Sequence, residues 1–226
     1  MYYGFDPTYF IYMLPALLFG LWAQWRVTST FSRYARVPTS SGINGAQTAE
    51  LLMERTGHRF GVASIPGMLT DYYDPSRKTM CLSQSSVQNS VASVAVVAHE
   101  FGHAIQDVEG YTPMKLRSAI VPAVKVGAAI GPIICIVGLF LASTGLIWAG
   151  IFLFSASAIF ALVTLPVELN ASSRALHMLQ ANGVLSAEEM PGAQAVLGAA
   201  AMTYLAAIAQ TLLQVLYFVS LASRRR

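Results

Sequence analysis

The chain has 226 residues, of which 55% are hydrophobic and only 11% charged, against the roughly 25% charged residues of an ordinary soluble domain. That balance excludes a wholly water-exposed globule and points to a membrane protein. The net charge of +3, carried by scattered arginines, argues against a nucleic-acid partner.

A helical span needs about 20 mostly apolar residues to cross about 30 Å of hydrocarbon. Residues 7–25 lie uncharged between Asp6 and Arg26, with tyrosines and tryptophans near their ends as interfacial residues. They are expected to form span one. No basic flank precedes them and no small-residue cleavage site follows, so the segment reads as an uncleaved anchor rather than a signal peptide.

Residues 26–118 are then expected outside the lipid as a small α+β domain between spans one and two. Its first part, 31–42, reads as a basic, small-residue connector. A helix over 44–55 follows, with Ala49, Leu52 and Met53 on one face and Gly57 supplying a left-handed cap. Residues 60–65 and 79–82, bounded by Pro66-Gly67 and Asp74-Pro75, are predicted strands. Asp71 and Asp74, flanking Tyr72 and Tyr73, fit turn chemistry. Ser83-Gln84-Ser85-Ser86 offers N-cap chemistry for a helix over 87–106.

That helix carries His99-Glu100-Phe101-Gly102-His103, which holds two of the four histidines in the chain. On a helix, side chains four residues apart leave the same face one turn from each other. Two imidazoles can thus reach one metal ion, and Glu100 beside them can accept a proton from a metal-bound water. Zinc fits best, because it takes imidazole nitrogens and a carboxylate while leaving a fourth position open. The bland alternative is a pair of buried histidines that satisfy hydrogen bonds.

Catalytic zinc uses a third protein ligand. No further histidine follows at the metzincin spacing, the next being His177. Residues 126–167 carry no charge and, at about 1.5 Å per residue, are long enough to cross the bilayer twice. Spans two and three are placed at 119–141 and 145–167, turning at Ala142-Ser143-Thr144-Gly145. A double crossing returns the chain to the face it left, so Glu168, the first acid after the run, emerges on the same side as His99 and His103. An ordinary interfacial carboxylate is the alternative for Glu168. Glu188 and Glu189 are rivals, but they lie where a helix begins and acids are common. Residues 168–190 are expected as a ligand-bearing helix region and 193–222 as span four, closed by Arg224, Arg225 and Arg226.

Further roles attach to nearby residues. Arg174, His177, Tyr72 and Tyr73 are candidate donors to a developing oxyanion, and Asp107 could orient a ligand imidazole. The strand at 79–82 is a place where a peptide could add edge to edge. Cys81 and Cys135 form neither a disulfide nor a metal pair by spacing.

The runs HEFGHAIQ (99–106), LPVELNASSRAL (165–176), Gly67 through Pro75, and Leu82-Ser83 resemble the YugP-like family of membrane zinc metallopeptidases, which is similar to the HtpX-type peptidases. The resemblance implies a zincin-like, gluzincin arrangement with Zn2+ held by His99, His103 and Glu168 and with Glu100 as base. HtpX-like proteins place an aspartate four residues after the ligand glutamate. Here Ser172 holds that place, with Asn170 two residues earlier as another candidate supporting residue.

The expectation is a mainly α membrane protein of about four transmembrane helices. Its function would be a zinc-dependent endopeptidase that hydrolyses proteins in or near the membrane through water activated by Glu100. A catalytically silent metal-binding scaffold or adaptor is the alternative. A transporter would carry ionisable residues inside its spans, and only Lys125, near a span entrance, does so. The expected partners are the lipid bilayer and membrane-associated protein or peptide substrates. Arg26, Arg33, Arg36, Lys115 and Arg117 flank the domain and place the active site on the cytoplasmic side of a cell membrane, whereas Arg224 to Arg226 argue for the opposite orientation.

Overall fold

The computed structural model describes residues 7–223; Asp6 and the terminal arginines 224–226, which entered the span and orientation readings, lie outside the described residues. The chain is mainly helical. Six α-helices, α1 (Pro7–Tyr34), α2 (Gly45–Thr56), α3 (Val91–Val108), α4 (Thr112–Phe140), α5 (Thr144–Ala181) and α6 (Met190–Ser223), accompany strands β1 (Gly61–Ser64), β2 (Tyr72–Asp74) and β3 (Thr79–Leu82). Among the described residues, α1, α4, α5 and α6 are long and apolar enough to cross a membrane. The chain divides into two compact units, one of residues 1–24, 115–165 and 202–226, the other of 25–114 and 166–201.

In the first unit, α4 and the start of α5 form a helical hairpin. Its turn follows Phe140, with Ala142 at φ 52° and Ser143 N–H donating to Gly138 O at 2.9 Å, a left-handed helix stop of the kind glycine usually supplies. The helices pack through glycine: a Cβ on Gly127 would collide with Leu153 O, and one on Gly150 would lie 2.6 Å from Cys135 N. Small residues let backbones approach closely where burial from water provides no drive. Cys135, Ile147, Ile151, Phe218 and Ala222 are buried together.

The second unit has a buried apolar core of its own. Its centre is α3, where Val91, Val94, Val97, Ala98, Phe101 and Ala104 are all fully buried, so the helix is apolar on nearly every side, as a core helix must be. Leu52, Met80, Val167, Ala175, Leu179 and Val184 close around it. The helix α2 begins with a capping box between Asn44 and Gln47 and ends at Gly57, φ 71°, as its sequence directs. Residues 166–201 join 25–114 in this unit, so the segment that carries Glu168 packs with α3 and the sheet.

Several boundaries differ from the sequence reading, each for a local reason. The helix α1 continues to Tyr34, because nothing breaks it before Pro38 and Phe31 gains a buried place, 5% exposed; the connector therefore starts later. Asp71 accepts from Ser83 N and Oγ and from Ser86 Oγ, which fixes a short 3-10 turn at Gln84–Val87. The motif helix then starts at Val91, with Ser90 accepting from Ser93 N as its cap, four residues later than expected. The run 168–190 is not one helix: α5 continues unbroken to Ala181, and Gly183 at φ 62° turns the chain before α6.

The sheet corrects a functional expectation. Its order is β1-β3-β2, with β1 parallel and β2 antiparallel to β3. The strand at 79–82 is thus the middle strand, with both its edges already paired, and cannot accept a peptide. The Tyr72–Asp74 stretch, read as a turn, is an edge strand, because its backbone completes the ladder with Thr79–Cys81.

Candidate metal centre

The helix α3 is held at its N-terminus by Ser90 and along its length by apolar packing, which fixes the azimuth of His99 and His103. Their rings stack edge to face, 4.7 Å between centroids. Opposite them α5 passes so close that a Cβ on Gly102 would lie 2.6 Å from Ala171 O. That approach brings the Glu168 carboxylate to the imidazoles, with Oε2 3.2 Å from His99 Nε2 and 3.4 Å from His103 Nε2. Ligand atoms of the three residues all lie within 4.8 Å of one another, and Glu168 is only 4% exposed.

The hydrogen bonds behind the rings show that these groups fit a cation. His103 Nδ1 faces Gln106 Oε1 at 3.0 Å and His99 Nδ1 faces Ser172 Oγ at 3.1 Å. A neutral imidazole that donates from Nδ1 presents a bare lone pair at Nε2. Where both rings donate from Nδ1, their Nε2 atoms and Glu168 Oε2 turn toward one point as three acceptors, which a cation, whether a proton or a metal ion, holds together. Two nitrogens and one oxygen are also a zinc donor set that spares a fourth position.

Glu100 is buried, 8% exposed, beside this cluster. Burial pushes its carboxyl above the usual carboxylate range, assisted by the charges of Glu168 and Asp71 and opposed by the two imidazoles. For His103, burial disfavours the proton, but the Glu168 hydrogen bond and charge outweigh it and raise the ring.

The remaining candidates have other partners. Asn170 Oδ1 accepts from Gln106 Nε2 at 2.9 Å and from Arg174 Nε at 2.8 Å, so it supports the centre from behind. Arg174 also pairs with Glu109 at 2.7 Å and lies over the Tyr111 ring. His177 is exposed and lines a separate cavity of about 410 Å3 with His58, Ile105, Glu109 and Arg174; none of the three clustered residues lines it. Asp107 accepts from Tyr73 OH at 2.7 Å and from Lys78 Nζ, not from an imidazole. The residue that faces His103 Nδ1 is Gln106. That position, three residues after His103 on one helix face, was readable by spacing. Tyr73 is committed to Asp107 and Tyr72 points outward from β2, 48% exposed. Asp74 caps its turn through Ser76 N and Arg77 N, and Glu189 accepts from Ser40 N and Ser186 N. Cys81 and Cys135 are both free thiols.

Comparison with known proteins agrees with this chemistry. Residues 9–223 match the family described as "Putative neutral zinc metallopeptidase". The protein named "Putative membrane protease YugP" of Bacillus subtilis (strain 168) is 41% identical over 213 residues, covering 93% of this chain and 95% of that protein. No solved structure matches the chain significantly. A family match over nearly the whole chain, together with a relative at that identity, means that this chain belongs to the neutral zinc metallopeptidase family.

Proposed function

We propose that the protein is a membrane-embedded zinc endopeptidase of the gluzincin type. The observation that carries this reading is the convergence of His99, His103 and Glu168 within 4.8 Å, with the buried carboxyl of Glu100 alongside. His99 and His103 would each offer Nε2 and Glu168 its Oε2. A zinc ion held there supplies Lewis acidity toward a peptide carbonyl and makes water acidic enough to attack at neutral pH.

Glu100 takes the proton of the attacking water on its carboxylate. The same carboxyl then gives a proton to the amide nitrogen, so the C–N bond breaks with an amine as leaving group. Its raised proton affinity suits both transfers, because a group that cycles between base and acid works best when its pKa approaches the working pH. Gln106 and Ser172 hold the two rings so that Nε2 stays directed at the centre.

Four apolar helices support a multi-pass location in a cell membrane, with proteins or peptides in or near the bilayer as substrates. The positive residues around 26–117 support a cytoplasmic active site.

The test uses the purified full chain in detergent. Wild type is expected to carry about one zinc per chain and to cleave an unstructured protein substrate. Glu100→Gln is expected to keep the zinc and to lose about 10²–10⁴ of the hydrolysis rate. Unchanged hydrolysis in Glu100→Gln overturns the catalytic role. Zinc retained with no hydrolysis by wild type supports the scaffold alternative.

A further inference from the structure

We propose that Gln106 is the positioning residue that fixes the histidine tautomer at the metal centre, itself aligned by a chain of hydrogen bonds that begins at Arg174. The inference rests on the zinc reading above and assigns a role to a side chain outside the ligand set and the base.

The inference starts from groups whose hydrogen-bonding sense cannot change. Arginine can only donate, so the Asn170 atom 2.8 Å from Arg174 Nε must be oxygen. The same oxygen lies 2.9 Å from the Gln106 amide, whose facing atom must then be nitrogen. The backbone carbonyl of Val167, 2.8 Å away, can only accept, and it requires the same orientation independently. Both N–H groups of Gln106 are therefore spent, one on each acceptor, and Oε1 is left facing His103 Nδ1 at 3.0 Å. An amide oxygen cannot donate, so Nδ1 must carry a proton, which leaves Nε2, on the side of Glu168 and His99, as the ring nitrogen able to give its lone pair to a metal.

This order matters because imidazole in water does not choose that tautomer strongly, and the wrong one would aim an N–H at the metal position. Gln106 is fully buried, so water cannot substitute for it. A buried amide that loses a partner also bears the desolvation cost of the orphaned group, which gives the network one satisfied arrangement. Asn170 Oδ1 accepts from both Arg174 and Gln106, and Gln106 Oε1 accepts in turn from His103, so each link in the network has a fixed sense. The network couples α3 to α5 at the level of the ligand atoms. His99 has only the hydroxyl of Ser172 behind it, which can donate or accept, so His103 is the ring held without ambiguity.

The experiment measures zinc affinity of the full chain by competition with a chelating dye, alongside 15N spectra of histidine-labelled protein with and without zinc. Gln106→Met keeps the length and removes the polarity. It is expected to weaken zinc by about 10–100-fold, the usual effect of losing such a support, and to shift the metal-free His103 signal away from the Nδ1–H form. Asn170→Leu is expected to do the same to a smaller degree, whereas Asn170→Asp retains an acceptor for both donors and is expected to restore affinity toward wild type. Wild-type affinity in both Gln106→Met and Asn170→Leu overturns the proposal, as does an Nδ1 that carries no proton in His103 of the wild-type chain. If Gln106→Met fails to fold, Asn170→Leu against Asn170→Asp decides it. A wild-type chain that binds no zinc removes the metal reading itself, an outcome distinct from tight binding that ignores Gln106.

Discussion

Glycine brings helices together in two regions of this protein, and the two contacts serve different ends. At Gly102 the α3 backbone meets Ala171 O, which a Cβ would approach to 2.6 Å, and three residues from Ala171 stands the Glu168 carboxylate. At Gly131, in the α4–α5 hairpin, a Cβ would meet Phe154 N at 2.8 Å and Gly150 O at 2.9 Å, with apolar side chains around it. The backbone approach is equally tight. In the first case it sets a distance between ligand atoms, and in the second it sets only packing. One chemical change, the addition of a methyl group, can therefore separate geometry from stability.

The largest effect is expected for Gly102→Ala. The methyl forces α3 and α5 apart, the two imidazoles and the carboxylate no longer share one centre, and zinc affinity falls by at least about 10–100-fold, read by chelator competition. Gly131→Ala should instead cost stability, about 1–3 kcal/mol for overpacking against backbone, seen as a lower unfolding temperature in detergent, with zinc per folded chain unchanged. Equal zinc loss in both variants would erase the distinction.

Smaller changes sharpen it. Ala142, at φ 52°, occupies a left-handed position that costs an L-residue about 1–2 kcal/mol. Ala142→Gly is expected to stabilise the hairpin by about 1 kcal/mol without touching zinc affinity, as read by thermal unfolding. The smallest effect belongs to Glu109, whose hydrogen bond from Arg174 holds its carboxyl below the usual range. A depressed carboxyl pKa stabilises the fold above the unfolded value of about 4.3, and the contribution fades as pH falls through the folded value. Because Glu109 is half exposed, solvent screening limits the effect, and Glu109→Gln should change unfolding by a few tenths of a kcal/mol at neutral pH and by nothing at low pH.

The legibility of the chain followed the range of the interactions involved. The helix α2 carried its own capping box and glycine stop, so its ends were written in adjacent residues. The β2 strand carried no such signal: three residues flanked by aspartates cannot show alternation, and only the ladder to β3 makes them a strand. The substrate-edge reading of 79–82 failed for the same reason, since a strand's rank in a sheet depends on partners elsewhere in the chain. Asp107 lies at a spacing that suits a group orienting an imidazole, yet Tyr73 and Lys78, distant in sequence, occupy it. Gln106, one position earlier, faces the ring.

By itself, the sequence determined that two imidazoles and a glutamate would share a helix and that four stretches would be apolar enough to leave water, because helical periodicity and hydrophobic length act between near neighbours. The sequence also favoured Glu168 as the carboxylate, and the tertiary structure alone decided how closely it meets those imidazoles, which residues face each ring, and which strand edges stay open. The meeting of ligand atoms depends on how closely α5 can approach α3, which Gly102 permits, and the strand edges depend on which segments pair in the ladder.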